Sequence, residues 1–493
     1  MTADLLTIVQ GFSRPKRSAW RLFLLLAQIL AGSPALGAAP QEYLPVPGLM
    51  DLRTTFSDGV HSPEDLVLLA RLRGFRVLFF NDHHRIKLSY GIPPFRNLLK
   101  YTKEYPSIMT HGPEAYLHEI ARLSGLYPDM ILVPGSILSP FYYWTGSWFR
   151  GDLTVHHYDR KLLALNLTKA QDYEGVPMLE AGWSLQHTKA RLPALLLFTV
   201  PWMIGLAFTV GAKGRTRLAG LAILVFSSLA IIDYHPWRGS PFSPYEGDQG
   251  IAPFQEAIDS IEERGGFAFW NYPEQRSGVR KHGPINVNTP PYPEVLLQSE
   301  NYTGFAAIYG DRITVTDPGK HWDLVLREYC EGKRQRPVWG ISTADFHEEG
   351  RLGLKLGAFP TTFLVREFSK DAVLDALRSG RMYCSRGDGK SWLQLDYFNV
   401  IAPNGDKAHM GETLRTGGFP LIRFRVSYRG DEKVPVTIQI VREGVLLRSV
   451  RGETPLEFEL LDDGVPAHRM TFYRLADAQK HLASNPIFVK YAP

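Results

Sequence analysis

Three short stretches place carboxylates beside imidazoles: DLRTTFSDGVHSPEDL (51–66), FFNDHH (79–84) and GISTADFH (340–347). The second and third follow apolar runs that read as buried strands, so their polar groups fall at strand ends. Carboxylate oxygens and imidazole nitrogens converging at strand ends are the donors a divalent ion such as zinc, manganese or iron accepts. LTVHHYDRK (153–161) adds His156, His157 and Lys161. Adjacent histidines in a loop are more often solvated than metal-bound, and the same holds for His84 beside His83.

The surrounding pattern must supply the scaffold. VLFF (77–80), MILVPG (130–135), LLALNL (162–167), FAFW (267–270), GFAAIY (304–309) and PVWGIS (337–342) are expected as buried strands. Helices are expected at 63–73, 114–125, 252–264, 320–331 and 370–379. SPEDL supplies a start signal: Ser62 as N-cap, Pro63 at the first position, and acids in the first turn to suit the helix dipole. Strands alternating with helices imply a parallel α/β architecture, here a barrel. From 393 to 493, runs such as IRFRVSY and VPVTIQIV are broken by Gly, Asp and Pro and point to a small all-β sandwich.

Two apolar segments lie within the barrel region. LPALLLFTVPWMIGLAFTV (192–210) and LAGLAILVFSSLAII (218–232) carry no charge, and GAKGRTR joins them. They are expected to form a transmembrane hairpin over 191–234, with the cationic loop on the cytoplasmic side. Tyr234 and Trp237 come next, where aromatic side chains favour the interface. At the N-terminus, Arg14, Lys16, Arg17 and Arg21 precede LFLLLAQILAG, and small residues Ala35 and Gly37 come after it, the pattern of a secretory signal over 1–37. Both features place the main domains on the extracytoplasmic, periplasmic side of a cell membrane. A net charge of +5 over 493 residues gives no concentrated basic face for nucleic acid. Two cysteines, Cys330 and Cys384, form at most one bridge.

The order and spacing of the motifs resemble the polymerase and histidinol phosphatase (PHP) family of metal-dependent phosphoesterases. DLRTTFSDG and NDHH are similar to its first two motifs, VPGSIL to its third, FWNYPE to its Ala-His-Pro strand end, and GISTADFH to its closing Asp-x-His. DALRSGRMYCSRG is similar to the stretch after that motif in many members. The resemblance implies a distorted (β/α)7-type barrel in two parts, 40–190 and 250–392, interrupted by the hairpin. It also implies roles. Asp58, His83 and His347 match ligands that share one metal, and Asp345 matches a ligand of the neighbouring site. Other ligand positions have changed. The His-x-His falls on Asp51 and Arg53, the glutamate on Ser136, a histidine on Lys161, and the Ala-His pair on Asn271 and Tyr272. What remains resembles a single outer site: one ion, or a polar cluster with none. Arg53 and Lys161 replace ligands by cations, which suits either an anionic ligand or structural ion pairs.

Two functions are expected: a membrane-anchored binding or scaffold relative with its inner metals gone, or a phosphoesterase working with a reduced metal site. A hairpin leaving a strand-to-helix connection would sit on the barrel face that carries the site. A lipid phosphate, a lipid-linked sugar or an envelope glycan would then be a natural ligand, beside the bilayer itself.

Overall fold

The expected apolar runs become strands of one curled sheet: β1 (Leu44–Leu52), β2 (Val77–Phe80), β3 (Ile131–Leu138), β4 (Lys161–Leu165), β5 (Phe267–Asn271), β6 (Gly304–Ile308), β7 (Trp339–Ser342), β8 (Pro360–Val365) and β9 (Met382–Ser385). The computed structural model describes residues 43–492 apart from 180–187, 236, 238–239, 276–277, 352–353, 431 and 465–467. The leader expected over 1–37 lies outside the described residues. The spatial order is β7-β6-β5-β4-β3-β2-β1-β8-β9. Every residue of β2, β3, β5, β6 and β7 is buried, which is why these strands read as continuous apolar runs rather than alternating ones.

The sheet is mixed, which corrects the expectation of a parallel barrel. β1, β2 and β3 run parallel, as do β5, β6 and β7. Between these two groups β4 is antiparallel to both neighbours, and β8 and β9 are antiparallel beyond β1. The sheet curls until the chain just past β7 meets the end of β1, where Leu52 and Phe346 form a parallel bridge. Arg53 N donates to Phe346 O at 2.8 Å and Phe346 N to Asp51 O at 3.1 Å. The strand ends gathered there form the mouth.

Amphipathic helices cover the outside: α1 (Pro63–Leu72), α2 (Pro113–Leu126), the short α3 (Ala170–Glu174), and, beyond an apolar pair, α6 (Ala252–Glu263), α7 (His321–Cys330) and α8 (Lys370–Ser379). Ser62 caps α1 as expected, its hydroxyl accepting from Asp65 N while the Asp65 carboxylate accepts from Ser62 N. The apolar pair is α4 (Thr188–Gly211) and α5 (Arg215–Asp233). Gly205 and Gly220 let their backbones approach closely, and Trp202 Nε1 donates to Ser228 Oγ at 3.0 Å. Leu196, Val200, Met203, Leu221, Val225 and Phe226 are exposed on this pair. By length and composition α5 suffices to cross a membrane.

The C-terminal strands fall into two sheets. β10 (Leu393–Ile401), β11 (Leu421–Tyr428) and β14 (Leu456–Leu461) pair in one sheet; β12 (Pro435–Arg442), β13 (Val445–Glu453), β15 (Met470–Asp477) and β16 (Leu482–Ser484) lie in the other. That second sheet continues the barrel sheet, because β16 pairs with β9. Arg474 of β15 adds a buried bidentate ion pair to Asp323 of α7, at 2.6 and 2.7 Å.

The reversed β4 changes how the helical insertion is placed. Its start, not its end, lies at the mouth, since Lys161 is in register with Asn271 at the end of β5. The segment after β4 therefore leaves from the far side. α3 carries the chain back: Tyr173 stacks on His84 with ring centres 5.9 Å apart, and Leu179 N donates to Pro140 O at 3.1 Å. The insertion departs near the mouth after all, for a reason different from the one the alternation suggested.

Candidate metal centre

The turn after β1 is folded around a buried carboxylate. Asp82, just past β2, accepts from Thr54 N (2.7 Å), Thr54 Oγ1 (2.8 Å) and Ser57 Oγ (2.6 Å). Burial raises its pKa, opposed by these donors and by Arg53. The turn also needs glycine at 59, where a Cβ would lie 2.4 Å from Arg53 O. These contacts hold Asp58 at the mouth.

There Asp58 meets the two histidines expected from the motif match. One ligand atom each from Asp58, His83 and His347 lies within 4.8 Å of the others. His347 Nε2 is 3.1 Å from Asp58 Oδ2 and His83 Nε2 is 3.6 Å from Asp58 Oδ1. Ligands about 2.0–2.1 Å from a tetrahedral ion stand about 3.3 Å apart, so this spacing fits one. His347 Nδ1 lies 2.7 Å from the Asp345 backbone oxygen, an acceptor, so Nδ1 carries a proton and aims Nε2 at the centre. Metal-bound histidines are oriented in this way. Burial, with Lys161 and Arg53 nearby, pushes the His83 pKa well down despite Asp58, which keeps the ring neutral as a ligand must be. Burial raises the Asp58 pKa, but the hydrogen bond from His347 and the nearby Arg53 charge help to outweigh it and hold the carboxyl well below the usual range. Two nitrogens and one oxygen suit zinc, manganese or iron.

The inner half of the mouth is built differently. Arg53, fully buried, donates from Nη1 to Asp51 Oδ1 (2.5 Å) and Asn81 O (2.7 Å), and from Nη2 to Asp345 Oδ1 (3.1 Å). Asn271 Nδ2 and Asp345 N also donate to Asp51 Oδ2, at 3.0 and 3.2 Å. Burial alone would lower the Arg53 pKa, but Asp51 and Asp345 raise it further. Of the two roles open to Arg53, the geometry has the ion pair; an outside anion does not reach it. Asp345 stands apart from the three-ligand group, held by Arg53 and serving His347 through its backbone. Asp51, Tyr272 and Asp345 all keep positive φ values, 66°, 49° and 47°. Strained backbone of this kind costs about 1–3 kcal/mol per residue and clusters at functional sites.

Beside Asp58 and His83 opens a cleft of about 190 Å³, lined also by Lys161, Arg85, Lys87, Tyr142 and Tyr158. Arg85 and Lys87 both approach Glu104, at 3.4 and 3.3 Å, whereas Lys161 has no ion-pair partner among the described residues. Arg85 and Lys87 escape a motif reading because they belong to an inserted ribbon; the run HHRIK (83–87) is the available signal. His156 and His157 do not join the metal group. His156 bonds Thr145 at 2.8 Å, and His157 lies 3.8 Å from Asp248. His84 is buried 3.3 Å from Ser136 Oγ, and burial with Arg85 nearby pushes it down to about 3.

That depressed histidine has a measurable consequence. The unfolded chain takes up a proton near pH 6.5 and the folded His84 does not, so stability falls as pH drops from 6.5 towards 3. His84→Gln is expected to reduce the slope of stability against pH in that window by at most about 1.4 kcal/mol per pH unit. Denaturant midpoints at pH 7, 6 and 5 check it; equal slopes in both proteins would contradict a buried neutral His84.

No family model matches the chain, and no curated protein does. Solved structures do. A two-domain protein from Bacteroides vulgatus, containing a predicted PHP-like metal-dependent phosphoesterase, aligns over 92% of this chain and 97% of its own, with 10% identity and a TM-score of 0.35. A protein from Bifidobacterium adolescentis, provisionally described as a metal-dependent phosphoesterase, aligns over 62% and 90%, with 14% identity and a TM-score of 0.27. An amidohydrolase from Chromobacterium violaceum, with bound sulfate and no metal, aligns over 62% and 88%, with 14% identity and a TM-score of 0.27.

Proposed function

We propose that this chain is a membrane-tethered, extracytoplasmic binding protein that keeps one divalent ion at Asp58, His83 and His347 and recognises a phosphorylated or similarly anionic group in the adjoining cleft, with little or no hydrolysis. The observation that carries this reading is Arg53. Its guanidinium lies between Asp51 and Asp345, with hydrogen bonds of 2.5 and 3.1 Å, and supplies the positive charge there. Phosphoester hydrolysis by paired metals needs one ion for the attacking oxygen and one for the leaving oxygen. A fixed guanidinium offers no open position for either.

When bound, the ion would supply a Lewis-acidic contact for a phosphate oxygen. The chain's own part is to hold and orient. Asp58 and the two histidines fix the ion's place. Lys161, without an ion-pair partner among the described residues and close to His83, offers a point charge to the ligand, and Tyr142 and Tyr158 close the cleft. The exposed apolar faces of α4 and α5, together with the basic, apolar start of the chain, support the tether and the extracytoplasmic side. A lipid phosphate, a lipid-linked sugar or a glycan from the envelope is the ligand class that such a position offers.

The surviving group Asp58, His83 and His347, with Lys161 in the same cleft, favours a second reading, a slow single-ion phosphoesterase. Calorimetry with inorganic phosphate on the zinc-loaded full chain separates the outcomes. Binding is expected to need the metal and to weaken about 10- to 100-fold in Lys161→Ala, the loss of one charge-assisted hydrogen bond. Metal-loaded protein that ignores phosphate would overturn the binding reading. Turnover of a phosphate monoester that disappears in His347→Ala would replace it with the enzymatic one.

A further inference from the structure

The ribbon that leaves His83 reaches from the mouth to the apolar helix pair. Its strands Ile86–Gly91 and Lys100–Tyr105 pair antiparallel, Ile86 opposite Tyr105 and Gly91 opposite Lys100. Its six-residue arm spans about 20 Å. The tip, 92–99, is clamped against α5. Asn97 N and Leu98 N both donate to the buried Asp233 carboxylate, at 2.7 and 2.8 Å. Phe95 packs on Phe226 with ring centres 5.2 Å apart. Phe226 lies seven residues before the end of α5, about 10 Å along the helix axis. The tip therefore descends two turns alongside the apolar helix instead of stopping at its end.

The outward residues of this tip are apolar: Ile92, Leu98 and Leu99 are 54%, 42% and 51% exposed. Just above them the ribbon turns cationic. Lys100 and Lys103 stand there, opposite Gly91 and Leu88, while Arg96 within the tip lies over the Tyr245 ring. Apolar side chains at the depth of a helix's last two turns, topped by a cationic collar, match the layering of acyl chains under phosphate headgroups.

We propose that the ribbon tip inserts into the outer leaflet beside α5, so that the mouth is held at one ribbon's length above the phosphate layer. This rests on the reading of α4 and α5 as a membrane hairpin. The tip contributes a second, shallow attachment that fixes the orientation of the cleft, which a flexible tether alone would leave free.

Site-directed spin labelling of the full chain tests it, in vesicles of phosphatidylethanolamine and phosphatidylglycerol and on a Cys330→Ser background. Cys384 is buried and out of a label's reach. Labels replace Leu98 or Leu99, with Leu221 on the exposed side of α5 and Leu72 on the barrel exterior as references. The expected result is an accessibility ratio of oxygen to a water-soluble nickel complex several-fold higher at 98 and 99 than at 72, close to that at 221. Aqueous behaviour at 98 and 99 with a lipid signal at 221 would overturn the insertion and leave the hairpin reading intact. Spin–spin broadening at 98 and 99 would mean that a second copy covers the tip, and would also overturn it. A water-exposed label at 221 would remove both the hairpin reading and the insertion.

Discussion

Arg53→Met is expected to destabilise the protein by about 3–5 kcal/mol, the range for removing one partner of a buried ion pair. The cause is the charge left behind. Asp51 is fully buried, and without the guanidinium its carboxylate keeps, among the described residues, two neutral donors, Asn271 Nδ2 and Asp345 N. Arg53→Lys is expected to recover only part of the loss, because one ammonium cannot reproduce a fork that meets Asp51, Asn81 O and Asp345 together. Adding Asp51→Asn to Arg53→Met removes the orphaned charge, so the double variant should be more stable than the single one. Denaturant unfolding of the four proteins in detergent measures this. An Arg53→Met protein as stable as the parent would mean that the guanidinium is not holding the inner site together.

The second large effect is on metal affinity. Loss of a group that only orients a ligand typically costs 10- to 100-fold, so loss of a direct ligand should cost more than 100-fold. His347→Ala and Asp58→Ala are both expected to exceed that threshold in competition with a fluorescent zinc chelator, while the fold survives. The two side chains lie at the partly open rim, and Asp58 is 44% exposed, so little packing is lost with them. Asp345→Ala is a sharper comparison. Its backbone oxygen still orients His347, so zinc affinity should change little, whereas stability should drop through Arg53. An Asp345→Ala protein that loses zinc as completely as His347→Ala would place Asp345 among the ligands and contradict the division into two half-sites.

Much of this is legible in the residue string, for identifiable reasons. The helix over 370–379 is found where expected, and α1 ends within a residue of its expected limit, because caps and apolar periodicity are local signals. Asp58, His83 and His347 converge because each stands one or a few residues past the strand or turn that positions it, and short spacings survive folding. Strand direction is not legible. LLALNL is buried on both faces, and a continuous apolar run carries no mark of which way it points, so nothing in it sets β4 apart from parallel neighbours. The partners of Arg53 are also hidden. Asp51 is two residues away, but Asn81 and Asp345 reach it only once β1, β2 and β7 curl together at the mouth. The cationic cleft depends on a ribbon whose KYTKEY strand is almost wholly exposed and gives no hint of where it will lie.

The metal content of the purified full chain, measured by elemental analysis after loading with excess zinc and removal of the unbound ion, decides whether the mouth holds a single ion. One equivalent at most is expected, lost in His347→Ala and unchanged in Asp345→Ala. Two or more equivalents per chain would mean that Asp51, Asp345 and their neighbours still bind metal around Arg53, and would contradict a single-ion mouth.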